Sequence, residues 1–309
     1  LDYTVNEVTT AVGAKQAIAS AMMVIAGPGD EVLLPIPCWV SYTEMIRLAG
    51  ATPVFVPVRQ DNYELDLDAI RAAITPRTKA LILNNPSNPT GMVYTEAELR
   101  AIAEVCVKYD LYVIADEIYY KLMYDGKPFV SFASLGGDVK ERTIVVNGVS
   151  KSYAMTGWRI GYSASNREIA RLMGNYLSHS TGAPSTISQW AAVEALSGQQ
   201  DTIEDMRKVF EERRNYIVRR MNTIPGVSCI MPEGAFYVMM NIEKLIGRAI
   251  GGVVIENDDV FAEAFLKQAR VAVVPCSGFG IRNFVRWTYA TSMDNIREGL
   301  DRLEKFLTE

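Results

Sequence analysis

Along most of its length the chain alternates short apolar runs with longer stretches in which apolar residues return every three or four positions. The short runs at 31–34, 52–56, 79–83, 111–115, 143–147 and 160–164 are dominated by aliphatic and β-branched side chains. Runs of that length and composition predict strands buried on both faces. Between them, 13–26, 39–48, 66–74 and 95–109 carry the spacing of amphipathic helices. Turn formers mark the boundaries. Gly27-Pro28-Gly29-Asp30 stops the first helix, Gly50 the second, and Asn84-Asn85-Pro86 ends the strand at 79–83. Thr95, with Glu98 three residues on, makes a capping box for the fourth. Such alternation requires crossover connections, and so predicts an α/β fold with a mainly parallel sheet covered by helices on both faces.

After Arg159 the texture changes. Long helices are predicted at 166–178, 185–196 and 201–222, the last rich in Arg and Glu and ended by Pro225-Gly226. Strands at 227–230, 235–240, 271–274 and 284–289, with helices at 260–269 and 293–307, then outline a smaller α+β unit. The expected organisation is a large domain over 1–200, then a bridging helix and small C-terminal domain over 201–309. A chain of 309 residues exceeds what one core usually serves, which agrees with two domains.

Composition narrows the function. With 49% hydrophobic and 22% charged residues, the chain is an ordinary globular one. A net charge of −5 without any Lys/Arg run argues against nucleic acid or an anionic membrane as partner. No stretch approaches eighteen apolar residues and no leader pattern is visible, so a cytoplasmic protein is expected. Cys38, Cys106, Cys229 and Cys276 are far apart and form no CxxC, which predicts reduced, mostly buried thiols. The single histidine, His179, has no carboxylate near it in sequence. It is read as structural, and a zinc site or a Ser-His-Asp triad is disfavoured.

Ligands of an open parallel sheet bind outside the carboxyl ends of its strands, so those ends are where chemistry is sought. Gly13-Ala14-Lys15 opens the first helix, whose N-terminus can hold a phosphate. The strand at 31–34 leads to Trp39, and that at 79–83 to Asn84-Asn85-Pro86-Ser87-Asn88. The strand at 111–115 carries Asp116, with Tyr119 one helical turn later; that at 143–147 leads to Ser150-Lys151 and then Arg159. Singly, each has a plain structural reading as a turn, a cap, core packing or a solvated charge. Together they describe a site for a flat, phosphorylated heteroaromatic that reacts with an amine. Pyridoxal phosphate fits. Gly13-Ala14-Lys15, Ser150 and Arg159 suit its phosphate, Trp39 its ring face and Asp116 its pyridine nitrogen. Asn88 and Tyr119 suit its 3-oxygen, and Lys151 its aldehyde.

At these residues the chain closely resembles the class I aminotransferases of fold type I, within them the bacterial and archaeal aspartate/aromatic aminotransferase group. The matching stretches are Gly13-Ala14-Lys15-Gln16-Ala17, Asn85-Pro86-Ser87-Asn88-Pro89-Thr90-Gly91, Asp116-Glu117-Ile118-Tyr119 and Ser150-Lys151-Ser152-Tyr153-Ala154-Met155-Thr156-Gly157-Trp158-Arg159. Gly234-Ala235-Phe236-Tyr237 and Val285-Arg286-Trp287-Thr288-Tyr289-Ala290-Thr291 complete the ordered set. The resemblance implies that Lys151 forms the internal aldimine and then acts as general acid and base. It pairs Asp116 with the pyridinium nitrogen and sets Tyr119 and Asn88 on the 3-oxygen. Arg286 takes the substrate α-carboxylate, a planar fork being better suited to this than an ammonium. The two domains close around the substrate, and the reaction is ping-pong. A homodimer with active sites at its interface is likewise implied. The family's N-terminal arm, ahead of the first helix, has no counterpart in this chain.

In aspartate-using members of the group the lysine of the Gly-Ala-Lys-Gln stretch reaches the distal carboxylate, and Lys15 stands there. Substrate contacts are therefore expected from Arg286, Lys15, Trp39 and Asn88, with aspartate and 2-oxoglutarate as the pair. Other readings are an aminotransferase for aromatic or other amino acids, a pyridoxal-phosphate-dependent carbon–sulfur lyase, and the aminotransferase-like half of a transcription regulator. A nicotinamide enzyme is disfavoured, because no GxGxxG follows a strand.

Overall fold

The apolar runs pair into one sheet and the amphipathic helices cover it, in a computed structural model that describes residues 1–59 and 61–308. The strands are β1 (Val8–Ala11), β2 (Glu31–Ile36), β3 (Thr52–Pro57), β4 (Thr78–Asn84), β5 (Tyr112–Asp116), β6 (Thr143–Gly148) and β7 (Gly161–Ala164). They stand in the order β1-β7-β6-β5-β4-β2-β3. Pairings β2–β3, β2–β4, β4–β5 and β5–β6 are parallel, whereas β7 is antiparallel to both β6 and β1.

The helices are α1 (Ala14–Ile25), α2 (Ser41–Leu48), α3 (Leu67–Ala73), α4 (Glu96–Lys108), α5 (Gly137–Arg142), α6 (Arg167–Ser180) and α7 (Thr186–Ser197). Side chains alternate across the pleat, so neighbouring apolar residues of one strand serve two cores. Ala80 and Ile82 of β4 pack on the α1, α2 and α6 side with Ile18, Ile46 and Met173. Leu81 and Leu83 of the same strand pack on the α3 and α4 side with Ile70, Leu99 and Ile102. That is the two-faced coverage expected from unbroken apolar runs.

From residue 201 the chain builds a second, antiparallel sheet. The 21-residue α8 (Asp201–Met221) spans roughly 30 Å. It leads to β8 (Ser228–Cys229), β9 (Tyr237–Asn241), the hairpin β10 (Ala249–Ile250) and β11 (Val253–Val254), and α9 (Asp258–Ala269). Then come β12 (Val274–Pro275), β13 (Phe284–Thr288) and α10 (Met293–Thr308). The sheet order is β12-β13-β9-β8, and its core joins Val238, Met240 and Val285 to Ile217, Phe261, Phe265, Leu300 and Leu303. Arg214 of α8, fully buried, ties this region to the loop after β5. It donates to both carboxylate oxygens of Asp125, at 2.7 and 2.8 Å, and to the Pro232 carbonyl.

Several boundaries differ from expectation. The helix expected from Trp39 begins at Ser41. The strand expected from Ala235 begins at Tyr237, because Ala235 takes a left-handed backbone (φ 58°). Of the run 271–274 only Val274 pairs. The cysteines are free; three are buried and Cys229 partly so. His179 lies exposed in the last turn of α6, where it packs no core. No described helix is long and apolar enough to cross a membrane.

Candidate active site

The sheet's direction decides what meets at its edge. Parallel β2, β4, β5 and β6 deliver their carboxyl ends to one side. The two antiparallel pairings add the carboxyl end of β1 and the amino end of β7 to that same side. A cavity of about 300 Å³ lies there. Its lining contains Ala14, Lys15, Trp39, Asn88, Asp116, Tyr119, Ser150, Lys151, Arg159 and Arg286, drawn from segments up to 272 positions apart. Of the residues singled out in sequence, only Gly13 lies outside that lining, directly behind it.

Gly13 caps α1 with φ 84°, a conformation that favours glycine. A Cβ there would stand 2.3 Å from Nη2 of Arg159, so the guanidinium lies directly against the helix start. Gly161 closes the same corner, since its Cβ would stand 2.2 Å from the Ala14 nitrogen. Arg159 is itself left-handed (φ 54°) and donates to the carbonyls of Thr156, at 2.9 Å, and Val12, at 3.3 Å. The first N–H groups of a helix have no intrahelical acceptor. With Arg159 and the buried Ser150 beside them, they form an anion-binding corner.

Asp116 ends β5 and is buried. Its Oδ2 accepts from the Tyr42 hydroxyl at 2.6 Å and its Oδ1 from the Ile118 N–H at 3.3 Å. Burial pushes this carboxyl up to about 6, against the opposing pull of those two donors and of the Lys151 charge. The loop after β4 is laced to the same place. Asn84 Nδ2 donates to the Asp116 carbonyl at 3.0 Å, and Asn84 Oδ1 accepts from the Asn88 N–H at 2.7 Å.

Lys151 follows β6 and is half-buried. Burial is the largest cause that lowers its ammonium below the ordinary lysine range. Arg286 and Arg159 push the same way and Asp116 opposes them. Arg286 arrives from β13. Its Nη1 donates to Asn88 Oδ1 at 2.6 Å, and its guanidinium lies 4.3 Å from the Tyr237 ring and 4.9 Å from the Phe279 ring. The Tyr119 and Tyr237 hydroxyls are 3.0 Å apart, and burial raises the Tyr119 phenol well above its usual range. Trp39 is half-buried, with the exposed Lys15 ammonium 4.9 Å from its ring.

Sequence reasoning missed five lining residues: Tyr42, Asn84, Ile118, Thr156 and Tyr237. Asn84 and Tyr237 stood inside stretches already singled out, and Tyr42 lies one helical turn after Trp39. Those spacings were the available signals. Among the described residues no cluster of His, Cys, Asp and Glu could hold a metal. The arrangement can hold an anion at one end, a second anion at Arg286, and present between them an amine that loses its proton readily beside a buried acid.

Known proteins match this chain throughout. The family model "Aminotransferase class I and II" covers residues 1–303. An aspartate aminotransferase of Geobacillus stearothermophilus is 46% identical over 308 residues, 99% of this chain and 77% of the relative. The crystal structure of the aspartate aminotransferase from Rhizobium meliloti superposes with a TM-score of 0.96 at 41% identity, over 100% of this chain and 78% of the other. An aromatic aminotransferase from Pyrococcus horikoshii superposes at 0.91 with 39% identity, over 98% and 79%.

Proposed function

We propose, for a chain that belongs to the class I and II aminotransferases, that it transfers the amino group of aspartate to 2-oxoglutarate with pyridoxal phosphate as cofactor. The observation that carries the reading is the convergence of Lys151, Asp116, Arg159 and Arg286 on one cavity. The donor set fits the cofactor. The α1 start, Ser150 and Arg159 would hold its phosphate, with Gly13 leaving room for the guanidinium. Asp116, the one carboxylate in the lining, would hold the protonated pyridine nitrogen, and Trp39 offers an aromatic face. Asn88, whose Oδ1 is taken by Arg286, keeps its Nδ2 to donate with Tyr119 to the 3-oxygen.

Bound pyridoxal phosphate would supply an electron-withdrawing ring that acidifies the Cα–H of an attached amino acid. The chain's residues do the rest. Arg286, steadied by Asn88 and by the two rings beneath it, takes the α-carboxylate as a planar fork. Lys15, at the cavity mouth over Trp39, takes the distal carboxylate of aspartate. Lys151 Nζ takes up the Cα proton and holds it as the ammonium; burial and the Arg286 and Arg159 charges lower its basicity and so favour the free amine that accepts it. In this reading residues 1–200 form the cofactor-binding domain and 201–309 the bridging helix and small domain. Its macromolecular partner is a second copy of the chain.

The test is spectroscopic and chemical. The purified protein with pyridoxal phosphate should absorb in the visible, and borohydride should abolish that band and leave the cofactor on the peptide containing Lys151. Lys151→Ala should keep cofactor binding and lose turnover. A colourless protein, or a Lys151→Ala variant that still turns over, would sink the reading. Assay products separate the other readings. New glutamate from aspartate supports ours, glutamate from phenylalanine or tyrosine alone moves the substrate to the aromatic class, and pyruvate with ammonia marks a lyase.

A further inference from the structure

Tyr42 stands in the first turn of α2 with its ring 1% exposed. A phenol that deep needs an acceptor, and the acceptor is Asp116 Oδ2 at 2.6 Å. The same ring meets Trp39 nearly perpendicularly, with centroids 5.2 Å apart. One side chain therefore touches both the acid and the aromatic face of the cavity. We infer that Tyr42 is a positioning residue, which fixes the facing of the Asp116 carboxyl and sets Trp39 at a constant spacing from it. The inference rests on the cofactor reading above and deepens it.

The hydroxyl also bears on the charge of the acid. Burial favours the neutral carboxyl, and the Tyr42 hydrogen bond is the largest influence holding it ionised, ahead of the Ile118 N–H and Lys151. The titratable groups that act on this carboxyl are Tyr42 from α2 and Lys151 from the loop after β6, while Glu117 and Tyr119 of its own segment feel its charge. Among the described residues, only Tyr42 donates a side-chain hydrogen bond to it. A neutral or freely turning Asp116 holds a cationic ring nitrogen poorly.

Tyr42→Phe removes the hydroxyl and keeps the ring against Trp39. In the cofactor-free chain, carbon-13 NMR of labelled aspartate should show the Asp116 midpoint rising by about one pH unit. Titration with pyridoxal phosphate should show affinity weakened on the order of ten-fold. In an Asp116→Asn background the same change should alter affinity by less than about two-fold, because the partner it acts through is gone. Should Tyr42→Phe fail to fold, 3-fluorotyrosine at position 42, a more acidic phenol, should move the midpoint down instead. Unchanged midpoint and affinity, or an equal loss in both backgrounds, would overturn the positioning role. An unmodified chain that does not bind pyridoxal phosphate would overturn the cofactor reading itself.

Discussion

Asp116 and Glu117 are adjacent and both buried, yet they face different surroundings. Asp116 lines the cavity, whereas Glu117 Oε1 accepts from the Ser131 hydroxyl at 2.8 Å and the Phe132 N–H at 3.0 Å. Burial pushes Glu117 up to about 7, with Ser131 and Phe132 opposing and the Asp116 charge adding. The folded chain thus holds a proton that the unfolded chain releases near the ordinary glutamate range. This contribution to stability is complete below about 4.5 and is lost as pH rises through about 7. Gln keeps the acceptor oxygen and has nothing to titrate. Glu117→Gln should therefore gain about 2–3 kcal/mol on its parent between about pH 5 and pH 8 in urea unfolding. Parallel stability curves would refute this. At this scale the sequence was informative where chemistry is rare at a strand end: Lys151, Asp116, Asn88 and Arg159 all line one cavity. The spacing of Tyr42 after Trp39 and the place of Tyr237 in a singled-out stretch were signals, but neither gave a role, because a phenol reads as core until its hydrogen-bond partner is seen.

At the scale of elements, long apolar runs declared themselves and short or polar ones did not. β1 (Val-Thr-Thr-Ala) has four residues and half of them polar, and it is a strand only because β7 pairs with it. α5 begins with Gly and has six residues, too few for a period to show. The direction of β7 was equally hidden, since an apolar run has no sense of parallel or antiparallel. The β9–β13 pair shows what an element adds beyond its residues. Arg286 stands opposite Met239 and Thr288 opposite Tyr237, which lets the guanidinium lie over the Tyr237 ring on the same face. Lysine reaches similarly far but loses the fork and the stacking. Arg286→Lys should raise KM for the amino acid on the order of ten-fold or more, with cofactor affinity changed less than about two-fold. Equal losses in both, read from steady-state kinetics and cofactor titration, would show that the strand pair carries cofactor binding instead.

At the scale of the whole molecule, α7 presents a surface that its own packing does not explain. In α7 only Ala192 is buried, while Ile187, Trp190, Val193 and Leu196 are 76, 70, 51 and 40% exposed. At intervals of three these side chains form a ridge along the helix, the shape that packs into the groove of another helix. Large apolar side chains gathered in this way on a surface mark an interface. A second copy of the chain, meeting this ridge about a two-fold axis, would bury it on both sides at once. Sedimentation equilibrium should then give twice the chain's mass of 34.2 kDa. Trp190→Glu places a charge at the centre of the ridge and should shift the protein to single chains at micromolar concentration, because an unpaired carboxylate in an apolar interface is strongly disfavoured. Trp190→Phe, apolar and aromatic, should leave the dimer in place. An unmodified chain that sediments at its single mass, or a Trp190→Glu variant that stays paired, would place the contact elsewhere on the molecule.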